Sequence, residues 1–193
     1  FANTRPMPPV ARLLRLAGVP TWLRPVLAGL SSAMGGRIEA AALRATGPRR
    51  GAALEALHGR HAAFAMRFAA ESAPYDALVC PVSALPALPH GTADRLLLAA
   101  VPCLLANLLD LPAGAVPVTR VAPEEETGRV GGRDRIVRAA VAADRDSRGL
   151  PVGVQVVGTP ALATADDPLR PERTVLAVMR MIEQAAMTTT MAG

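Results

Sequence analysis

The longest amphipathic pattern in the chain covers residues 51–71. Apolar side chains and one histidine recur there at steps of three and four, at Leu54, Leu57, His61, Phe64 and Phe68. This spacing places all five on one face of an α-helix. The pattern therefore predicts one long amphipathic helix, with His61 as a core histidine that finds a backbone partner and His58 in solvent.

Three short apolar runs predict β-strands, because each is bounded by Gly or Pro and the later two are rich in Val. They cover residues 77–80, 113–118 and 152–157. Apolar or amphipathic segments between and after them predict a buried helix over 93–109 and two further helices over 133–143 and 172–186. Alternating strands and helices favour an α/β layer architecture with strands buried on both faces.

Residues 10–34 carry a different pattern, in which two short amphipathic helices are separated by Gly18-Val19-Pro20. The second helix is predicted to begin near Thr21, a residue type that caps helix N-termini. A large apolar face, arginine on the polar edge and a single Trp are typical of an anchor that lies in a membrane surface. The predicted membrane-contact residues are Leu13, Leu14, Trp22, Leu23 and Leu27. The alternative is an ordinary pair of surface helices that pack on the body of the protein.

Composition limits the classes of protein to consider. The 193 residues are 51% hydrophobic, which is enough for a folded core, and no run of about 18 uninterrupted apolar residues predicts a membrane-spanning helix. The net charge of +5 comes from scattered arginines, and three Phe, one Tyr and one Trp offer few stacking platforms, so nucleic-acid binding is not predicted. Because the chain starts at Phe1 without a leader pattern, we expect a fragment of a longer protein.

Candidate reactive groups are sparse. Cys80 and Cys103 lack CxxC spacing and are predicted to be buried thiols. His58 and His61 lie one helical turn apart, but no third ligand is indicated, so no metal or cofactor is predicted. Ser31-Ser32 stands in a glycine-rich stretch, yet a serine nucleophile needs a base within hydrogen-bond reach, and none is identifiable.

Three segments together carry a family resemblance. Residues 75–81 read Tyr-Asp-Ala-Leu-Val-Cys-Pro, residues 106–119 read Ala-Asn-Leu-Leu-Asp-Leu-Pro-Ala-Gly-Ala-Val-Pro-Val-Thr, and residues 149–158 read Gly-Leu-Pro-Val-Gly-Val-Gln-Val-Val-Gly. Their order and separation resemble the C-terminal part of the amidase signature family, nearest its fatty acid amide hydrolase branch. The resemblance implies an α/β fold with a mixed β-sheet covered by helices on both faces. It implies that residues 1–193 are part of a single domain and that residues 10–34 form its membrane cap.

The resemblance also implies a reaction. Members hydrolyse amides with a Ser-Ser-Lys triad, but all 21 basic residues here are arginine and no Gly-Gly-Ser-Ser-Gly-Gly segment occurs. We therefore assign no catalytic residue to this chain and expect it to be inactive alone. The complete protein is expected to be intracellular, either cytoplasmic or peripheral on a membrane, and to hydrolyse amides of long-chain fatty acids to acid plus amine or ammonia.

The substrate path is likewise an implication of the resemblance. The helix before the Asn107 segment would line an acyl channel through Leu97, Ala100 and Leu104, and Ala161 replaces an aromatic residue that lines it in the resembling enzyme. Two alternatives stay open: a non-catalytic module that binds a membrane or a partner, and an amidase for small amides. The oligomeric state also stays open, with a homodimer among the options.

Overall fold

The computed structural model describes residues 18–93 and 95–191. The predicted contacts Leu13 and Leu14 lie outside these residues. The α-helices are α1 (Arg24–Ala33), α2 (Arg37–Ala45), α3 (Ala52–Ser72), α4 (Leu104–Leu109), α5 (Arg135–Asp144) and α6 (Arg170–Met191). The strands are β1 (Ala77–Pro81), β2 (Ala113–Arg120) and β3 (Pro151–Gly158), and short 3₁₀ helices cover Leu97–Cys103, Pro123–Thr127 and Pro160–Leu162.

The three predicted strands form one sheet in the order β1-β3-β2, and both pairings are antiparallel. Gln155 in β3 pairs with Cys80 of β1 on one side and with Ala115 of β2 on the other. The second half of β3 is buried, whereas β1 and β2 at the edges are half exposed. The predicted α/β class is confirmed, and the outer strands are more exposed than the sequence predicted.

Helix α6 packs along one face of the sheet, against all three strands. Of the apolar stripe that predicted this helix, Val175 is buried there, Val178 and Ile182 are half buried, and Ala185 is exposed. Gly114 and Gly158 lie so close to this helix that an added Cβ would meet Met179 at the first position and Val175 at the second. Glycine at these two positions lets helix and sheet approach closely.

The prediction of one buried helix over residues 93–109 is wrong both in the type of helix and in its burial. The segment forms a 3₁₀ helix, Leu97–Cys103, followed by the short α4, and Pro102 lies near their junction. Proline lacks an N–H and cannot continue a regular α-helical hydrogen-bond ladder. The segment packs on the sheet face opposite α6 through its backbone, and its large apolar side chains remain exposed.

Helix α3 matches the predicted long helix closely in its bounds, but most of it faces solvent. Every residue from 51 to 63 is exposed, so the prediction of His61 as a core histidine is wrong. Its predicted backbone partner does exist, since Nε2 of His61 lies 2.7 Å from the carbonyl oxygen of Leu108. The periodicity of residues 51–71 predicted an apolar face on this helix, but it could not predict whether another part of the chain covers that face.

The N-terminal part of the described chain is an α-helical hairpin of α1 and α2. Helix α1 begins at Arg24, not at Thr21, with Pro25 in its first turn, where the missing N–H costs no intrahelical bond. Arg24 is only 5% exposed, and its guanidinium donates to the carbonyl oxygens of Val19 and Thr46 at 3.1 and 2.9 Å. These bonds close the hairpin, and α2 had not been predicted.

One carboxylate then joins this hairpin to α5. Asp134 is the N-cap of α5, where one oxygen accepts from the Ile136 N–H at 2.8 Å and the other accepts from the Ile38 N–H of α2 at 3.0 Å. Burial raises the pKa of Asp134, but the backbone N–H groups of Ile38, Ile136, Val137 and Arg37 outweigh it, so the net pKa is lowered. A single ionised side chain therefore caps two helices.

We expect Asp134→Asn to lower the free energy of unfolding by about 1–2 kcal/mol near neutral pH, because an amide offers one acceptor oxygen where two are used. The folded pKa lies below the unfolded value, so the carboxylate's contribution is complete above about pH 4 and is lost as pH falls through the folded pKa. Urea unfolding should show the gap to wild type narrowing in acid. Asp146→Asn, at an exposed site, is the control, and a gap independent of pH would contradict the prediction.

Candidate functional site

The segment that crosses the sheet opposite α6 carries an exposed apolar surface. We define the 97–108 patch as Leu97, Leu98, Val101, Leu104 and Leu108, whose side chains are 42–55% exposed. From the rises of 3₁₀ and α-helices the patch is roughly 20 Å long. A cluster of exposed apolar side chains on one segment is a candidate site for contact with a ligand, a membrane or another protein.

Three of the four predicted substrate-binding residues lie in this region. Leu97 and Leu104 belong to the patch, and Ala100 is exposed beside them, three residues after Leu97 and so on the same edge of the 3₁₀ helix. Leu98, Val101 and Leu108 were missed, although Leu104 and Leu108 stand at helical spacing in the sequence. The role of these residues in binding a substrate stays a prediction.

A buried glutamine holds the patch in place. Gln155, 4% exposed at the centre of β3, donates from Nε2 to the carbonyl oxygen of Pro102 at 2.8 Å and to that of Pro81 at 3.2 Å. The thiol of Cys103 donates to the Val82 carbonyl at 2.8 Å beside it. At the far end, the ring of His61 contacts the Leu108 carbonyl. The exposed side chains therefore stand on a backbone that is fixed at its middle and at its end.

Ala161 lies elsewhere in the structure. It is exposed in the 3₁₀ helix after β3, which packs near α3, and the Thr159 hydroxyl fixes this turn by donating to the Tyr75 carbonyl at 2.8 Å. Its place in an acyl channel remains a prediction that rests on the resemblance.

A second exposed apolar surface lies on α1 and its flanks. We define the α1 patch as Trp22, Val26, Leu30 and Met34, which are 57–73% exposed and recur every four residues. The predicted contacts Leu23 and Leu27 are half buried, since they turn toward the body of the protein. Of the predicted membrane contacts that the structure describes, Trp22 is the exposed one, at 73%. Val26 and Leu30 belong to the same apolar pattern in the sequence but were not predicted as contacts.

The reactive side chains considered from the sequence have structural partners. Ser31 donates to the Gly36 carbonyl at 3.2 Å and to Glu39 at 3.4 Å, and Arg135 pairs with the same carboxylate at 2.6 Å. These bonds link α1, α2 and α5. Cys80 and Cys103 are free and half buried, not fully buried as predicted.

Two cavities complete the candidate sites. One of about 310 Å³ is lined by Glu125, Arg129, Asp144 and Ser147 together with Pro86, Val121 and Val152. Arg129 and Asp144 form an ion pair there, the Ser147 hydroxyl donates to the Asp144 carbonyl, and the Glu125 carboxylate accepts from the Ala122 N–H at 2.6 Å. The other, of about 370 Å³, lies between the start of α1 and the end of α2 and is lined by Thr21, Arg24, Pro25, Arg44, Thr46, Gly47, Pro48 and Arg49. Among residues 18–93 and 95–191, no group of three His, Cys, Asp or Glu could hold a metal ion, and no helix is long and apolar enough to cross a membrane.

Comparison with known proteins gives two findings. A family model described as Amidase matches residues 32–162. Fatty acid amide hydrolase 1 of Caenorhabditis elegans is 33% identical over 113 residues, which make up 57% of this chain and 18% of that protein. The match therefore spans less than a fifth of the relative's length. Matched residues 32–162 include the 97–108 patch and Gln155.

We expect Gln155→Met, which keeps the volume but removes the amide, to lower the free energy of unfolding by about 1–3 kcal/mol, because two carbonyl oxygens lose their donor in a buried site. Urea unfolding measures this. Gln184→Met on the exposed side of α6 is the matched control and should change stability by less than about 0.5 kcal/mol. An equally small change for Gln155→Met would show that the amide does not hold the segment.

Proposed function

This chain belongs to the amidase family, and we propose that it forms the substrate path of an enzyme that hydrolyses carboxylic amides of long-chain fatty acids to an acid and an amine or ammonia. In this proposal the Ser-Ser-Lys triad lies in a part of the protein outside these residues, because the chain contains no lysine to act as base. Its own contribution is to bind and orient the acyl chain.

The observation that carries the proposal is the 97–108 patch. Burying one methylene group contributes about 0.8 kcal/mol, so an acyl chain gains affinity in proportion to the apolar wall it covers. A wall roughly 20 Å long suits a long chain, whereas a small amide would cover only a fraction of it. The name of the matched relative, a fatty acid amide hydrolase, supports the same substrate class.

The backbone that carries the patch also supports a binding role. Gln155 fixes Pro102 from below, and the Ala84 N–H and the Ser83 hydroxyl both donate to the Ala99 carbonyl, at 2.9 and 3.3 Å. A wall held in this way loses little conformational entropy when a ligand binds. Apolar side chains exposed on a fixed backbone are suited to a flexible alkyl chain, which is oriented by shape and has no polar group to recognise.

In the complete protein, we expect Leu104→Asn to lower kcat/KM about tenfold for a long-chain amide and to leave a short-chain amide unchanged. The reason is that only the long chain loses apolar contact at this site, and about 1.4 kcal/mol corresponds to a factor of ten. Hydrolysis of a series of primary amides of increasing chain length measures the effect.

Leu176→Asn, at a residue of α6 that is 64% exposed, is the matched control. It should leave both substrates unchanged. Equal losses on short and long amides would mean that Leu104 does not contact the acyl chain. Absence of hydrolysis for every amide with the wild-type protein would favour the alternative of a non-catalytic module.

The α1 patch supports a second part of the proposal, peripheral attachment to a membrane surface. Trp22 is 73% exposed and Val26 is 63% exposed, and an exposed Trp beside aliphatic side chains is suited to the headgroup region of a membrane. Substrates with long alkyl chains partition into the same bilayer, so surface attachment would bring the enzyme to them.

We expect Trp22→Ser with Val26→Ser to weaken flotation with phosphatidylcholine vesicles by about tenfold or more, because two apolar side chains no longer enter the bilayer. The control removes two equally exposed apolar side chains elsewhere, with Met66→Ser and Met181→Ser. Equal loss for both pairs would assign the attachment to general hydrophobicity and not to the α1 patch.

A further inference from the structure

The cavity of about 370 Å³ beside α1 has a lining that is unusual in its charge. Three of its lining residues, Arg24, Arg44 and Arg49, are cationic, and the described lining includes no acidic side chain. Guanidinium groups bind phosphate through paired N–H donors in a fixed plane. The electrostatics of this cavity therefore favour an anion.

The three arginines are held in different ways. Arg24 is 5% exposed and is fixed by bonds to the Val19 and Thr46 carbonyls, so it forms a rigid charged base for the cavity. Arg49 donates to the Ala45 carbonyl at the C-terminus of α2 at 2.9 Å, and Arg44 is exposed on the same helix. One buried and two exposed guanidinium groups thus surround a single opening.

The cavity adjoins the α1 patch along the same stretch of chain. Thr21 and Pro25 line the cavity, and the residues that follow each of them, Trp22 and Val26, belong to the α1 patch. An anionic group in the cavity would therefore have apolar surface directly beside it. A molecule with a phosphate next to alkyl chains matches both features at once, whereas a free phosphate uses only the cavity.

We propose that this arginine-lined cavity binds the headgroup phosphate of an anionic phospholipid while the α1 patch contacts the bilayer. The inference rests on the proposed membrane attachment and adds a lipid preference to it. Each cationic side chain near an anionic surface strengthens membrane binding, and the effect falls off within a Debye length. Attachment is therefore stronger on anionic than on zwitterionic vesicles.

The test compares binding of the full chain to vesicles of phosphatidylcholine alone and of phosphatidylcholine mixed with phosphatidylglycerol. We expect the wild type to bind the mixed vesicles more tightly. The double variant Arg44→Gln with Arg49→Gln should reduce the ratio of the two affinities by about tenfold. Arg24 is left in place because its bonds hold the hairpin. The control is Arg60→Gln with Arg180→Gln, which removes the same charge at exposed sites on α3 and α6, and it keeps most of the preference.

The outcomes separate this inference from the proposal it rests on. Equal losses for the two pairs of variants would overturn it, since the effect would then come from net charge. Equal binding of wild type to both kinds of vesicle would also overturn it and leave membrane attachment intact. No binding to either vesicle would overturn both. Titration with inorganic phosphate alone distinguishes a lipid headgroup from free phosphate. If phosphate binds as tightly as the mixed vesicles do, and the Arg44 and Arg49 variant loses this binding, the lipid assignment is overturned.

Discussion

The position of the segment that carries the 97–108 patch depends on the buried side-chain amide of Gln155. Gln155 lies in the central strand between β1 and β2, is 4% exposed, and donates to carbonyl oxygens of β1 and of the segment before α4. A buried carbonyl without a donor costs more than an ordinary hydrogen bond contributes, so this contact fixes where the segment crosses the sheet. Pro102 has no N–H to donate to the Ala99 carbonyl three residues earlier, and that carbonyl accepts instead from the Ala84 N–H and the Ser83 hydroxyl, which ties the segment to the end of β1.

On the opposite face of the sheet, two glycines determine how closely α6 can pack. Gly114 and Gly158 leave room for Met179, Val175 and the backbone near Pro171, so α6 approaches the sheet closely. One face is therefore closed by direct packing. The other is covered by a short segment attached through polar bonds, with its apolar side chains turned outward. The exposed apolar side chains of that segment lie on the side where we propose that the acyl chain binds.

Elements whose ends are marked by Pro and Gly could be predicted from the sequence, including the three strands and the long helix α3. Helix α2 was not predicted, because the residue before it, Gly36, has no side chain that could signal a cap; Asp134, 96 residues from Ile38 along the chain, supplies the acceptor at its N-terminus. The predicted site residues remain predictions, and the sequence could not indicate which side chains of each apolar stripe are exposed. Leu23 and Leu27 lie on the inner side of α1 and Val26 on the outer side, and only the tertiary contacts decide which edge of an apolar stripe is buried.

The two apolar patches have a common requirement that bears on the substrate class. Each exposes large aliphatic or aromatic side chains on a backbone fixed by hydrogen bonds, Arg24 to Thr46 at the first turn of α1 and Gln155 to Pro102 beneath the 97–108 patch. Exposed apolar area has a free-energy cost in water that only an apolar partner removes. A long-chain amide and a bilayer both provide alkyl chains, so one lipid chemistry accounts for both surfaces. In the proposal the acyl chain covers the 97–108 patch and the bilayer covers the α1 patch, so each surface receives an apolar partner of the same chemical kind.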